Sequence, residues 1–212
     1  MISLLSLKPI TSSFFARDTL AVARSLLGCY LLHDCGDGRK LVGRIVETEA
    51  YLADDPASHS FRGKTKRNAA MFEKAGTAYV YFTYGLYHCC NVVTNKKGVG
   101  EAVLIRALEP IEGIAQMQKN RAHDDTRDLK NLCNGPAKLV LALGINRSHD
   151  GLDLLSPSSP LRLMRGSIET KGAKGSVLAP RDIIATTRIG IRHGTELPHR
   201  FYLKDSPFVS KK

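Results

Sequence analysis

Arg44-Ile45-Val46-Glu47-Thr48-Glu49-Ala50-Tyr51 is the stretch that decides how this 212-residue chain folds. Leu41 to Glu49 reads as a strand, preceded by the turn-rich Asp34–Lys40. On a strand Glu47 and Glu49 point to one face, about 6.5–7 Å apart, with Ile45 and Tyr51 beside them. Two acids on an apolar and aromatic wall can be the solvated end of an edge strand. They can also be a site where a carboxylate positions and deprotonates a water. The aromatic residues that follow favour a site, although spacing alone does not say which acid would act.

Five of the seven tyrosines fall between Tyr51 and Tyr87. Residues 77–83 and 87–94 read as two strands meeting at Tyr84-Gly85-Leu86, with Tyr79 and Tyr81 on one face and Val80 and Phe82 on the other. Tyrosines are common in strands, so the pair alone says little. Tyr84 at the hairpin tip, with Leu86 and Tyr87 beside it, is costly in water unless a partner covers it. Proteins that kink DNA or flip a base insert such wedges from the minor groove. Further expectations attach to His59, which in isolation would be an ordinary loop histidine, and to the basic run Arg62-Gly63-Lys64-Thr65-Lys66-Arg67. Asn91 stands in a strand where an apolar residue is the default, so its amide needs a polar network or a ligand. Arg106 ends the apolar strand 102–107, as a salt-bridge partner or as an anchor for phosphate or water.

Around these motifs the chain reads as one α+β domain, residues 1–212, on a curved, mostly antiparallel sheet with a protruding β-hairpin. Thr11, Ser12 and Ser13 offer caps to a helix reaching Leu27, which Gly28 can end. Residues 29–33 read as a strand and 68–74 as a short helix. Pro110 precedes a helix over 111–121, and 123–130 reads as a loop. Asn134-Gly135-Pro136, then Ala137–Leu143 and Gly144, spell a helix with a Pro start and a Gly stop. Residues 166–174 look like an exposed excursion, and strands are expected over 183–191 and 200–203.

Composition narrows the function. Lys and Arg number 31 against 20 Asp and Glu, a net charge of +11 that suggests an anionic partner. The five cysteines, Cys29, Cys35, Cys89, Cys90 and Cys133, form no even framework, which argues for a reducing, cytoplasmic setting. No apolar run reaches the roughly 18 residues of a membrane span. No Cys-x-x-Cys, zinc-deaminase signature, Walker loop or dinucleotide-binding glycine pattern occurs, so no metal and no cofactor is expected.

Taken together, the motifs resemble the alkyladenine (3-methyladenine) DNA glycosylase family. They are Arg44–Tyr51, Arg67-Asn68, Met71-Phe72, Gly76–Tyr81, Tyr84–Tyr87, Arg106–Pro110, Leu132–Leu139, Arg200–Tyr202 and Ser206-Pro207. Their shared order covers nearly the whole chain from about Phe14. The resemblance implies a monofunctional, cofactor-free DNA repair enzyme that flips alkylated or deaminated purines of the 3-methyladenine and hypoxanthine class. It would hydrolyse the N-glycosidic bond and leave an abasic site. Carried over by position, Glu49 is the general base, while Tyr51, His59 and Tyr81 wall the flipped base. Tyr84 is the wedge, and Asn91 excludes the amino group of normal guanine. Arg106 holds the water, with a backbone carbonyl near Ile189.

The expected partner is double-stranded DNA containing damaged purines, contacted through Arg62, Lys64, Lys66 and Arg67, by a monomeric protein with no membrane association. A non-catalytic nucleic-acid-binding module would explain the aromatics and charge but leave Glu47 and Glu49 idle. A glycosidase acting on free nucleosides would use the acids but not the charge or the wedge.

Overall fold

The computed structural model describes residues 7–83, 87–122, 124–166 and 182–211. In chain order these form β1 (Lys8–Pro9), α1 (Ser12–Phe15), α2 (Thr19–Ser25), β2 (Tyr30–Asp34), β3 (Lys40–Tyr51), β4 (Ala78–Thr83), β5 (Tyr87–Thr94) and β6 (Glu101–Glu112). There follow α3 (Ile114–Arg121), α4 (Pro136–Leu143), β7 (Leu161–Arg165), β8 (Ile183–Thr186) and β9 (Arg200–Leu203). All strand pairs are antiparallel, in the order β1-β7-β2-β3-β6-β5-β4, and the fold is of the α+β class.

β3 and β6, twelve residues each, are the central pair. Along its other edge β3 meets β2 first and then β9, which lies against Glu47, Thr48 and Glu49. The acidic segment is therefore flanked by strands on both sides and is no edge. One sheet face is covered by helices: α2 packs on β3 and β6, and α4 on β5 and β6. Thr48 faces this side and donates its hydroxyl to the Ala23 carbonyl of α2 at 2.9 Å. Glu47, Glu49 and Tyr51 alternate to the opposite face. There a smaller cluster of Met71, Tyr79, Val93 and Ala102 lies under the 3₁₀ turn Ala69–Phe72.

The register between β3 and β6 shifts three times, once at Val42/Gly43 and on either side of Glu47. Ile45 opposes Leu108, Glu47 opposes Ala107 and Thr48 opposes Ile105, so Val46 and Arg106 are the extra residues. Bulges of this kind re-aim a side chain without ending the strand. Arg106 thus sits inside β6 rather than at the end of a strand at 107, and it points to the acids.

Other departures from the sequence reading have local causes. The helix expected to reach Leu27 breaks in two, because Asp18 caps a new start by accepting the Ala21 N–H at 2.8 Å. Residues 69–72 are 3₁₀, and 124–127 and 129–131 hold 3₁₀ turns. The strand expected over 183–191 stops at Thr186, and Gly190, at φ 76°, turns the chain beyond it. The helix expected over 111–121 begins only at Ile114, because β6 continues to Glu112 and Gly113 makes the corner at φ 77°. α4 runs as read, with Pro136 in its first turn and Gly144 left-handed at its end.

Gly113 permits one prediction. A Cβ there would stand 2.5 Å from the Lys40 carbonyl oxygen and 2.5 Å from a Leu41 methyl, on a backbone that L-residues avoid. Left-handed backbone costs about 1–2 kcal/mol before any clash. Gly113→Ala should lower the melting temperature by at least roughly 2–8 °C, read by thermal unfolding.

Candidate active site

β3, β4, β5 and β6 build one wall of a cavity of about 420 Å³ on the face away from the helices. Tyr51, Tyr79, Tyr81, Asn91, Leu104 and Arg106 come from these strands, and His59 and Pro56 from the loop after β3. The roof is the segment Ile189–His193. The cavity is thus closed by two irregular loops over a sheet.

Its aromatic members interlock. The rings of His59 and Tyr81 are 4.5 Å apart, those of Tyr79 and Tyr81 5.3 Å, and His59 Nδ1 lies 2.8 Å from the Tyr79 hydroxyl. Burial, with the charge of Arg67 adding to it, lowers the pKa of His59 below the ordinary histidine value. Burial pushes Tyr79 up to about 12 and raises Tyr51 and Tyr81 as well. All three phenols are therefore protonated donors at neutral pH. Asn91 donates Nδ2 to the Tyr79 carbonyl at 2.9 Å and is almost fully buried. Its amide is both part of a polar network and part of the cavity wall.

Glu47 and Glu49 are both fully buried, yet their surroundings differ. An ionised carboxylate offers about four lone-pair sites. Glu47 accepts from Arg106 Nε at 3.0 Å, Arg200 Nε at 2.7 Å, and the Ser210 N–H and hydroxyl at 2.6 and 2.8 Å. Three of these donors crowd Oε1 and only the Ser210 N–H meets Oε2, and neither Arg200 nor Ser210 lines the cavity. Glu49 accepts from Tyr51 OH at 2.9 Å on Oε2 and from Ile189 N–H at 2.9 Å on Oε1, where Arg106 Nη1 also makes an ion-pair contact at 3.0 Å. An acceptor position remains on the oxygen that Tyr51 holds, and all three of these partners are cavity-lining residues. Arg106 joins the two acids. Burial opposes its charge, but Glu49 and Glu47 together raise its pKa above the ordinary arginine value.

Ile189 meets Glu49 through its N–H rather than through a carbonyl. Arg62, Lys64, Lys66 and Arg67 are all exposed beside the cavity wall, with Arg67 donating to the Phe82 carbonyl at 3.3 Å. Phe61, Phe82 and Tyr87 are exposed in the same region, and Phe82 lies 5.1 Å from the His88 ring. Tyr84, the expected wedge, lies outside the described residues.

Sequence reasoning passed over Asp55, Arg188 and Arg200. Arg188 and Asp55 form a buried bidentate ion pair, with Nη2 to Oδ1 at 3.0 Å. Arg188 was hidden by reading residues 183–191 as a strand, although the glycine at 190 signalled a turn. Cys89 and Cys90 do face opposite ways, one to the cavity and one to the core. Among the described residues no three His, Cys, Asp or Glu side chains converge as metal ligands. Nor is any described helix long and apolar enough to cross a membrane.

With this geometry in place, comparison with known proteins is decisive. The family model described as methylpurine-DNA glycosylase matches residues 13–207. The chain belongs to the methylpurine-DNA glycosylase family. A Francisella tularensis protein named "Putative 3-methyladenine DNA glycosylase" is 49% identical over 194 residues, covering 92% of this chain and 94% of its own length. Relatives of the same name from Carboxydothermus hydrogenoformans and Methanoculleus marisnigri are 50% and 48% identical. They cover 94% and 96% of this chain, and 97% and 99% of their own lengths. Membership makes this glycosylase a DNA repair enzyme and a hydrolase.

The hydrogen bonding separates the two acids by experiment. Glu47→Gln removes the charge shared by two buried arginines, and breaking such a pairing costs about 3–5 kcal/mol. The glycosylase should melt roughly 6–20 °C lower, measured by thermal unfolding at neutral pH.

Proposed function

We propose that the cavity takes a flipped alkylated or deaminated purine and that Glu49 activates the water that displaces it. The acceptor position left on Glu49, at the edge of a ring-lined cavity, is the observation that carries this reading. Water held there gives a proton to Glu49 while its oxygen bonds to the sugar C1′. The C1′–N bond breaks and its electron pair leaves with the base, so an abasic site remains and the strand stays uncut. A cationic alkylated purine is already a good leaving group. It also gains roughly 0.5–2 kcal/mol per contact from the faces of aromatic rings such as Tyr51 and Tyr81.

Arg106 keeps Glu49 in place and balances its charge. Asn91 on the cavity wall discriminates against the extra amino group of normal guanine. Tyr84 is the wedge that fills the emptied stack, a role that rests on the resemblance of the Tyr84–Tyr87 motif. The exposed cations before the hairpin hold the DNA backbone, and the enzyme acts where its DNA is, in the cytoplasm, as a monomer.

An oligonucleotide bearing hypoxanthine or 1,N6-ethenoadenine tests the reaction. The expected products are free base and an alkali-labile abasic site. Tight binding without release from several lesions would favour the non-catalytic binder instead. Glu49→Gln keeps the shape but deletes the proton acceptor. It should slow excision by roughly 100-fold or more while lesion affinity stays near wild type.

Binding to undamaged duplex should weaken steeply with salt, because each phosphate contact releases counterions. Neutralising Arg62, Lys64, Lys66 and Arg67 together should flatten the plot of log affinity against log salt by up to roughly 3.5 units. An unchanged slope in a binding titration would take this loop out of the interface.

A further inference from the structure

The buried pair of Arg188 and Asp55 lies beyond the residues that the reaction itself requires. We propose that Arg188, locked by Asp55, is a positioning residue that orients Glu49 from both of its oxygens. This inference rests on Glu49 as the base.

Four contacts of one guanidinium support it. Asp55 takes both terminal nitrogens, and each of the paired side chains is at most 1% exposed. Nη1 also donates to the Ala50 carbonyl at 3.1 Å, which grips β3 between Glu49 and Tyr51. The guanidinium carbon stands 4.7 Å above the centre of the Tyr51 ring. Finally, Nη2 donates to the Gly194 carbonyl at 3.4 Å, which closes the roof segment on itself.

Those contacts converge on Glu49 by two routes. Through the chain, Arg188 fixes its neighbour Ile189, whose N–H occupies Oε1. Through the stack, it fixes the ring of Tyr51, whose hydroxyl occupies one site on Oε2. The remaining acceptor position on Oε2 then has a single direction. Freed from Arg188, the carboxylate could rotate while keeping Arg106, and its open position would no longer aim at one point. Asp55 does more than neutralise a charge. The loop that bears it also carries Pro56, Ala57 and His59 of the cavity wall, so the pair bolts roof to wall.

The function of such a device is geometric, so it should act on rate rather than on affinity. Arg188→Lys keeps the charge but loses the fork that grips two oxygens at once. Asp55→Asn keeps the shape but loses the counter-charge. Each should lower single-turnover excision roughly 10–100-fold, the scale of a misplacement near 1 Å, with lesion affinity held within about threefold. The double variant Arg188→Met/Asp55→Leu replaces the pair by apolar bulk, an exchange that often leaves stability unharmed. It should recover the wild-type melting temperature and remain slow.

Wild-type excision by the double variant would overturn the proposal, since the pair would then be structural alone. A parallel loss of rate and lesion affinity in all variants would also overturn it, by showing that the cavity had collapsed. An error in the underlying reading shows itself separately, as an active Glu49→Gln, and would leave Arg188 no base to position.

Discussion

One guanidinium shared by two buried carboxylates organises this protein. Arg106 reaches Glu47 with Nε and Glu49 with Nη1, each at 3.0 Å, and Arg200 supplies the second positive charge. Two acids and two arginines cancel. An isolated ion in so dry a place would cost several kcal/mol, which makes the group all-or-none: losing one member strands the others. The quartet also joins β3, β6 and β9 to Ser210, so the centre of the sheet and a distant part of the chain depend on the same charges.

Within that group the acids are divided by their hydrogen bonds. Glu47 is held by Arg106, Arg200 and Ser210, and the last two do not border the cavity. Glu49 is held by three groups that border the cavity and retains an acceptor position. The proposed role of Glu49 calls for an acid that is fixed yet not saturated. The framework acid provides the first property for its neighbour by keeping Arg106 in place.

The bulge at Arg106 is the backbone counterpart of this arrangement. Alternate residues of β6 face alternate sides, and Ile105 and Ala107 both belong to the apolar core. That alternation turns Arg106 to the acids while both neighbours stay in the core, and the register shifts set Glu47 opposite Ala107 and Thr48 opposite Ile105. The helices cover one sheet face and leave the other to the loops at 52–66 and 187–199. Loops can close over a cavity where helices would fill it.

Much of this was legible in the chain. The strand of Glu47 and Glu49, the paired tyrosines of one strand face, the hairpin, and the Pro-led helix ended by glycine all follow from local pattern, because period and turn chemistry act over a few residues. The motifs that resemble a known family also named Glu49, Tyr51, His59, Tyr81, Asn91 and Arg106, which the structure brings together at one cavity and its adjoining acid. Choosing between Glu47 and Glu49 was beyond the sequence, since both share a strand face and only partners such as Arg200 and Ser210, over 150 residues away, distinguish them. The register shifts around Glu47 were equally hidden, because a bulge is a property of two paired strands. Asp55 and Arg188, 133 residues apart, meet only when the roof folds onto the wall. Composition and spacing determined which chemistry this chain could carry. The long-range pairing of buried charges decided how its two acids are held, because their partners lie far apart in the chain.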